Sequence, residues 1–91
     1  MLAIPLTEAE ILADVLDPQQ GDLSAEVAQA VLRWKFGRRA TAHINKLAQR
    51  NQTGTISAVE REELERYLRV GSFLNVLQAK ARLSLAALKA G

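Results

Sequence analysis

Residues 57–88, SAVEREELERYLRVGSFLNVLQAKARLSLAAL, decide the fold because they predict one long C-terminal helix. Ser57 and Glu60 form a capping box, in which each side chain satisfies an amide group of the first turn. Acidic residues crowd the first turns and basic residues the last, which complements the helix dipole. A continuous helix of this length would measure about 45 Å. It therefore either extends beyond a compact small domain or bends at Gly71.

The apolar positions of this helix follow a heptad spacing that continues beyond Gly71. They are Leu64, Tyr67, Gly71, Leu74, Gln78, Ala81, Leu85 and Leu88. Three short helices could cover the first half of this stripe, but they are less able to cover Ala81, Leu85 and Leu88 as well. A second chain is the simplest cover, which indicates a binding function. The polar Gln78 either fixes the register of such a contact or lies on its rim.

Three shorter helices are predicted before the long one, each from its capping residues. Thr7 and Glu10 form a capping box, and the helix that they begin ends before Pro18. Ser24 caps a second helix that Gly37 ends. A third helix runs from about residue 38 to 52.

These elements predict an all-α fold with three short helices packed on the N-terminal half of the long C-terminal helix. Residues 1–23 form an amphipathic acidic arm and linker, and residues 24–91 form the helical domain. The buried face of the second helix is expected to consist of Val27, Ala28, Val31 and Leu32.

Charge is segregated along the chain although its net value is only +2. All charged residues among the first 26 are acidic, and all charged residues from 27 to 59 are basic. The acidic arm is either packed on the body, where it neutralises the basic middle, or mobile and able to dock into a basic groove of a partner. In the second case Asp14, Asp17 and Asp22 supply the electrostatic attraction.

The basic stretch RWKFGRR, residues 33–39, has two interpretations. Its charged side chains could neutralise phosphates while Trp34 and Phe36 stack on bases. Those charged residues are Arg33, Lys35, Arg38 and Arg39. Alternatively, Phe36 anchors the corner between two helices and the bases are merely solvated.

The residue inventory argues against catalysis, because the chain contains one His and no Cys. His43 lies within a predicted helix and is expected to be structural. We expect no enzymatic activity, no cofactor and no metal site. The chain has no apolar run long enough for a membrane span and no leader pattern, so a cytoplasmic location is expected.

Several stretches resemble a family of small helical bacterial proteins of unassigned function. They are a Leu-Ser-x-Glu cap at residues 23–26, an aromatic near Phe36, the GTIS turn at residues 54–57 and the LQAKARL motif at residues 77–83. Members of the family are often encoded beside small His-Asn-His (HNH) endonucleases, which implies an antitoxin or accessory role. The family is more acidic in its middle section, whereas GRRATAH, residues 37–43, is basic here.

Together these features predict a non-catalytic protein that binds and restrains an HNH-type nuclease. The expected contact residues lie mainly on the long helix, with two on the arm: Tyr67, Gly71, Leu74, Leu77, Gln78, Ala81, Leu85, Ile11 and Val15. Asp substitutions at Leu77 and Leu85 should therefore weaken the complex. The alternatives are a homodimeric nucleic-acid-binding protein that uses residues 33–50, and a structural helical homodimer.

Overall fold

The computed structural model describes residues 7–90, which form four α-helices and no β-strand. The helices are α1 (Glu8–Leu16), α2 (Ala25–Arg33), α3 (Arg38–Thr53) and α4 (Ala58–Ala90). The prediction of an all-α fold with three short helices against one long C-terminal helix is confirmed.

The helix starts follow the capping residues that the sequence indicates. Thr7 accepts the amide of Glu10 at 3.2 Å, and the Glu10 carboxylate accepts the amide of Thr7 at 3.0 Å. Ser57 and Glu60 make the same reciprocal pair at 3.1 and 3.0 Å. Ser24 caps α2 through its hydroxyl. Each cap satisfies amides that the first helical turn leaves without a partner.

Helix α4 runs without interruption through Gly71, the position at which a bend was considered. A helix of 33 residues is about 50 Å long, and the longest dimension of the molecule is 52 Å. A side chain at Gly71 would meet the ring of Phe36 at 3.7 Å, an ordinary contact distance. Gly71 therefore does not interrupt α4 and leaves room for a larger residue.

Gly37 does not end α2 as the sequence predicted, because α2 already ends at Arg33. Trp34 is the C-cap with an extended backbone, and Gly37 is instead the N-cap of α3. Gly37 has a φ of −67°, so it does not use the left-handed region that makes glycine a helix stop. Gly54, with a φ of 75°, does end α3 in that way.

The three short helices lie along the whole of α4, and the expectation that they cover only its N-terminal half is wrong. Helix α3 contacts the first turns of α4, where Arg50 pairs with Glu60. Helix α1 contacts the middle of α4. Helix α2 packs on the C-terminal half, where Ala28, Val31 and Ala81 form a buried cluster. Within the described helices, the short ones all pack on α4 and not on one another.

This arrangement corrects the expected exposure of the end of the stripe. Ala81 is completely buried, and Leu85 is half-buried against the α2 cluster. Only Leu88 remains open to solvent, with 56% of its surface exposed. On α2, Val27 lies outside the contact and is 49% exposed, so its place in the predicted buried face is wrong.

The resulting molecule is thin and open. Its smallest dimension is 15 Å and its radius of gyration is 16.3 Å, whereas a compact chain of this length has a radius of about 12 Å. The chain exposes 7126 Å², whereas a compact monomer of this mass exposes about 5200 Å². The chain therefore leaves more of its surface open to solvent than a compact monomer of its mass does.

Candidate functional site

Helix α1 lies against α4 through its smaller side chains. Ala9 and Ala13 line the cleft between the two helices, while Ile11, Leu12 and Val15 point away from it. The last three are 49%, 49% and 76% exposed. Apolar residues one helical turn apart ordinarily lie on the buried side of an amphipathic helix. Here that side faces solvent.

The same side of α1 carries negative charge only. Glu8 and Asp14 flank the three apolar residues, and both are exposed. Helix α1 contains no basic residue. We call this surface the acidic face of α1, defined by Glu8, Ile11, Leu12, Asp14 and Val15.

A second apolar surface lies on α4 between its contacts with α1 and α3. Its walls are shared with the segment that connects α2 to α3. Phe36 packs edge-on against Tyr67, with their ring centroids 5.8 Å apart. Trp34 and Val70 remain 54% and 53% exposed. The apolar lining consists of Trp34, Phe36, Tyr67, Val70, Phe73, Leu74 and Leu77.

Basic side chains border this surface. Lys35 lines the part beside Trp34, Arg66 lines the part beside Tyr67 together with the acid Glu63, and Arg69 lines the adjoining cleft that Val70 shares with Glu8. Arg66 makes only an exposed pair with Glu62 at 3.8 Å, a type of pair that contributes little to stability. We call the apolar lining together with Lys35, Arg66 and Arg69 the basic groove.

The predicted contact residues lie in three places: the basic groove, the acidic face of α1 and the contacts within the chain itself. Tyr67, Leu74 and Leu77 line the basic groove, and Ile11 and Val15 lie on the acidic face of α1. The others lie between helices of the chain itself: Gly71 beneath Phe36, Gln78, Ala81 and Leu85. Because Leu77 and Leu85 both pack against the α2 cluster, an Asp at either position would also disturb the chain's own core.

Sequence reasoning missed the role of Lys80, a buried residue of α4 that bonds to the end of α1. Its side chain is only 4% exposed. Its ammonium group donates to the backbone oxygens of Leu16 and Asp17, at the C-terminal end of α1. It also pairs with the Asp22 carboxylate at 2.7 Å, and this hydrogen bond lowers the pKa of Asp22. A cation at the end of a helix is favourable because the carbonyl groups there carry partial negative charge.

Ser84, one turn further along α4, holds the start of α2. Its hydroxyl accepts the amide of Leu23 at 3.1 Å and donates to the backbone oxygen of Lys80 at 2.8 Å. The linker crosses α4 at the same place. A Cβ atom at Gly21 would lie 2.9 Å from the backbone oxygen of Leu83, so only glycine allows this approach. Residues 21–23 are therefore packed against α4.

Gln78 binds the other end of α2. Its amide donates to the backbone oxygens of Val31 at 3.2 Å and Trp34 at 2.8 Å. These carbonyls lie in the last turn and the C-cap of α2, and the Val31 oxygen also accepts the amide of Trp34 at 3.0 Å. Gln78, Lys80 and Ser84 form what we call the polar cluster of α4. The LQAKARL motif thus contributes Gln78 and Lys80 to this cluster.

The three acidic residues expected to attract a partner differ in their surroundings. Asp14 is exposed on the acidic face. Asp17 is the left-handed C-cap of α1, and its carboxylate accepts the amide of Gln19 at 3.3 Å. Asp22 is engaged by Lys80. Of the two arrangements considered for the arm, the structure has the one packed on the body.

The four basic residues proposed for nucleic acid are all exposed near the α2–α3 corner: Arg33, Lys35, Arg38 and Arg39. Gly37 gives α3 no side-chain cap, and no acid lies in the first turn. Basic residues beside the positive end of a helix dipole create a strongly electropositive surface. Trp34 is exposed next to it.

His43 contacts Glu63 through its Nε2 atom and packs edge-on against Tyr67. Both partners belong to α4, so the contact joins α3 to the long helix. Among residues 7–90, no group of three or more His, Cys, Asp or Glu residues is placed to hold a metal ion.

None of the helices within the described range is both long enough and apolar enough to cross a membrane. Comparison of the chain with known protein families finds no match. The chain also has no significant match among curated proteins or solved structures.

Proposed function

We propose that this chain is a non-catalytic protein-binding subunit whose acidic face of α1 docks on a basic surface of a partner protein. The observation that carries this proposal is the orientation of α1, which packs through alanines and exposes Ile11, Leu12 and Val15. Exposed apolar residues grouped with charge of one sign are typical of interaction sites.

The surface area of the chain supports the same proposal. The exposed area exceeds that of a compact monomer by about 1900 Å², since the chain exposes 7126 Å². A stable protein interface buries about 800 Å² on each partner. The open surface is thus large enough for an interface without unfolding any helix.

The resemblance to proteins encoded beside HNH endonucleases suggests the partner. A nuclease must present basic side chains to the phosphates of its substrate. Glu8 and Asp14 of the acidic face would occupy that surface, and the neighbouring apolar residues would supply most of the binding free energy. The chain would then act as an antitoxin or accessory subunit that keeps nucleic acid out of the nuclease.

This proposal is tested by co-expressing the chain with the neighbouring gene product, which the proposal expects to be an HNH-type nuclease. We expect a stable complex in which nuclease activity is lost. The double variant Ile11→Asp, Val15→Asp should release the nuclease. Val59→Asp is the matched control, because Val59 is 74% exposed and Val15 76%. Undiminished complex formation by the double variant would exclude the acidic face as the docking surface.

Nucleic-acid binding is the second candidate function, and the exposed Trp34 beside the basic corner favours it. Binding through Arg33, Lys35, Arg38 and Arg39 should weaken steeply with salt, because each phosphate contact releases counterions. A gel shift at low salt with single-stranded and duplex DNA tests it. The absence of any shifted band would exclude this candidate.

A further inference from the structure

The acidic face of α1 and the basic groove are both apolar at their centres. Val15 lies one helical turn beyond Ile11 and Leu12, which is the spacing of anchor residues when an amphipathic helix enters an apolar groove. The groove offers a floor of Val70 and Phe73 with an exposed aromatic wall. Each of the two surfaces is open to solvent, and each could be covered by the other.

The charges of the two surfaces are also complementary. The acidic face carries Glu8 and Asp14, and α1 has no base. The groove is bordered by Lys35, Arg66 and Arg69 and by one acid, Glu63, which contacts His43. Opposite charges around an apolar centre favour one docking orientation and suppress others.

Helix α1 cannot place its acidic face in the groove of its own chain. Its alanine side already contacts α4, and Lys80 holds its C-terminal carbonyls from the α4 side. Rotation of α1 by half a turn would break these bonds and leave the buried ammonium with Asp22 as its remaining acceptor, which is costly. The complementary surface must therefore come from another molecule.

We propose that two copies of this chain form a dimer in which the acidic face of α1 from each copy occupies the basic groove of the other. The two surfaces adjoin on one chain, because Glu8 and Ala9 share a cleft with Arg66, Arg69 and Val70. A single patch that contains both complementary parts can pair with itself about a two-fold axis. The association then closes at two copies and does not propagate.

This dimer adds a regulatory step to the proposed function. The regulatory step rests on that function, whereas the dimer does not. The acidic face would be covered in the dimer and available in the monomer. Binding of the partner protein would then compete with self-association. The dimer itself requires no nuclease.

The test is the molar mass of the full-length chain, measured by light scattering after size exclusion over a range of concentrations. We expect a dimer that dissociates at high salt, since charge contributes to the contact. Val70→Asp should give a monomer, as should Ile11→Asp, Val15→Asp. Val59→Asp should remain dimeric, and circular dichroism verifies that every variant is helical.

Mixing the two monomeric variants distinguishes the proposed dimer, in which each acidic face occupies the groove of the other copy, from any other dimer. The Val70→Asp chain retains an intact acidic face, and the Ile11→Asp, Val15→Asp chain retains an intact groove. Reciprocal exchange predicts that the mixture recovers a heterodimer held by one of the two contacts, and therefore weaker than the wild-type dimer. A mixture that stays monomeric, or a wild-type chain that is monomeric at all concentrations, overturns the proposal.

Failure of the dimer and failure of the proposed function give different results. Val70→Asp should abolish self-association but still bind the nuclease. A monomeric wild-type chain that binds the nuclease overturns only the dimer. A wild-type chain that forms the dimer but does not bind the nuclease overturns only the proposed function.

Discussion

The C-terminal half and the middle of α4 use similar apolar residues but have different fates. Around Ala81, α2 packs closely, and the polar cluster of α4 binds the backbone at both ends of that helix. Around Val70, α1 lines only one side of α4 through Glu8 and Ala9, and Val70 itself stays 53% exposed. The polar cluster, which bonds to backbone groups at helix ends, distinguishes the covered C-terminal half of α4 from its more open middle. The heptad stripe alone does not.

The largest expected difference between the two regions is the effect of truncating a valine. Val31→Ala removes methyl groups from a side chain that is 2% exposed, and should lower the free energy of unfolding by about 2 kcal/mol or more. Val70→Ala, at a site that is 53% exposed, should change it by less than about 0.5 kcal/mol. Urea unfolding of the two variants measures both values at a concentration where the chain is monomeric. Equal losses would mean that the middle of α4 is covered within one chain.

Lys80→Ala should have the next largest effect. It removes charge-assisted bonds to Leu16, Asp17 and Asp22, at a cost of about 2 kcal/mol. The loss should fall mainly on α1 and the linker. Lys89→Ala, an exposed lysine on the same helix, is the control and should be nearly neutral. Thermal melting compares the two, and a neutral Lys80→Ala would show that the Lys80 bonds do not hold α1 in place.

Gly21→Ala should destabilise by about 1–2 kcal/mol, because the linker must move away from the α4 backbone. The new Cβ would lie 2.9 Å from the oxygen of Leu83. Gly71→Ala is the control, since its Cβ would lie at an ordinary 3.7 Å from the Phe36 ring and Ala is preferred to Gly inside a helix. Urea denaturation measures both variants. A loss no greater than that of the control would indicate that the linker is loosely held.

Acidification should have the smallest effect. The hydrogen bond from Lys80 lowers the pKa of Asp22, and the amide of Ser57 lowers the pKa of Glu60. A carboxyl whose pKa is lower in the folded chain stabilises it above the unfolded value, which is about 4, and loses this contribution as the pH falls through the folded value. The melting temperature should therefore drop below about pH 4. Asp22→Asn should show a smaller drop than the wild type, and an unchanged profile would contradict the Asp22 assignment.

The local features of the fold were predictable because their signals lie within a few residues. The capping boxes at Thr7 and Ser57 and the Gly54 turn all follow from short motifs, and the structure confirms them. The place of α2 was not predictable. It depends on bonds from Gln78 and Ser84 to backbone groups more than forty residues away, and such bonds leave no periodic pattern in a sequence.

The candidate site was predictable only in part. Periodicity identified the apolar side of α1, but it could not indicate that Ala9 and Ala13 would face α4 in place of Ile11 and Val15. On α4 it selected Tyr67, Leu74 and Leu77, which line the groove, together with Ala81, which α2 covers. Which part of a continuous stripe stays open depends on where short helices dock, and this is a tertiary property.

Within the described helices, each short one packs on α4 but on neither of the other two. Detachment of α1 would therefore cost its own packing and the Lys80 bonds to Leu16 and Asp17, whereas in a closed bundle it would also expose the neighbouring helices. Amide hydrogens of α1, which has no buried residue, should exchange with solvent through local openings well before those of α2 and α4. The chain can thus release its N-terminal helix as a separate cooperative unit while the remainder keeps its native protection.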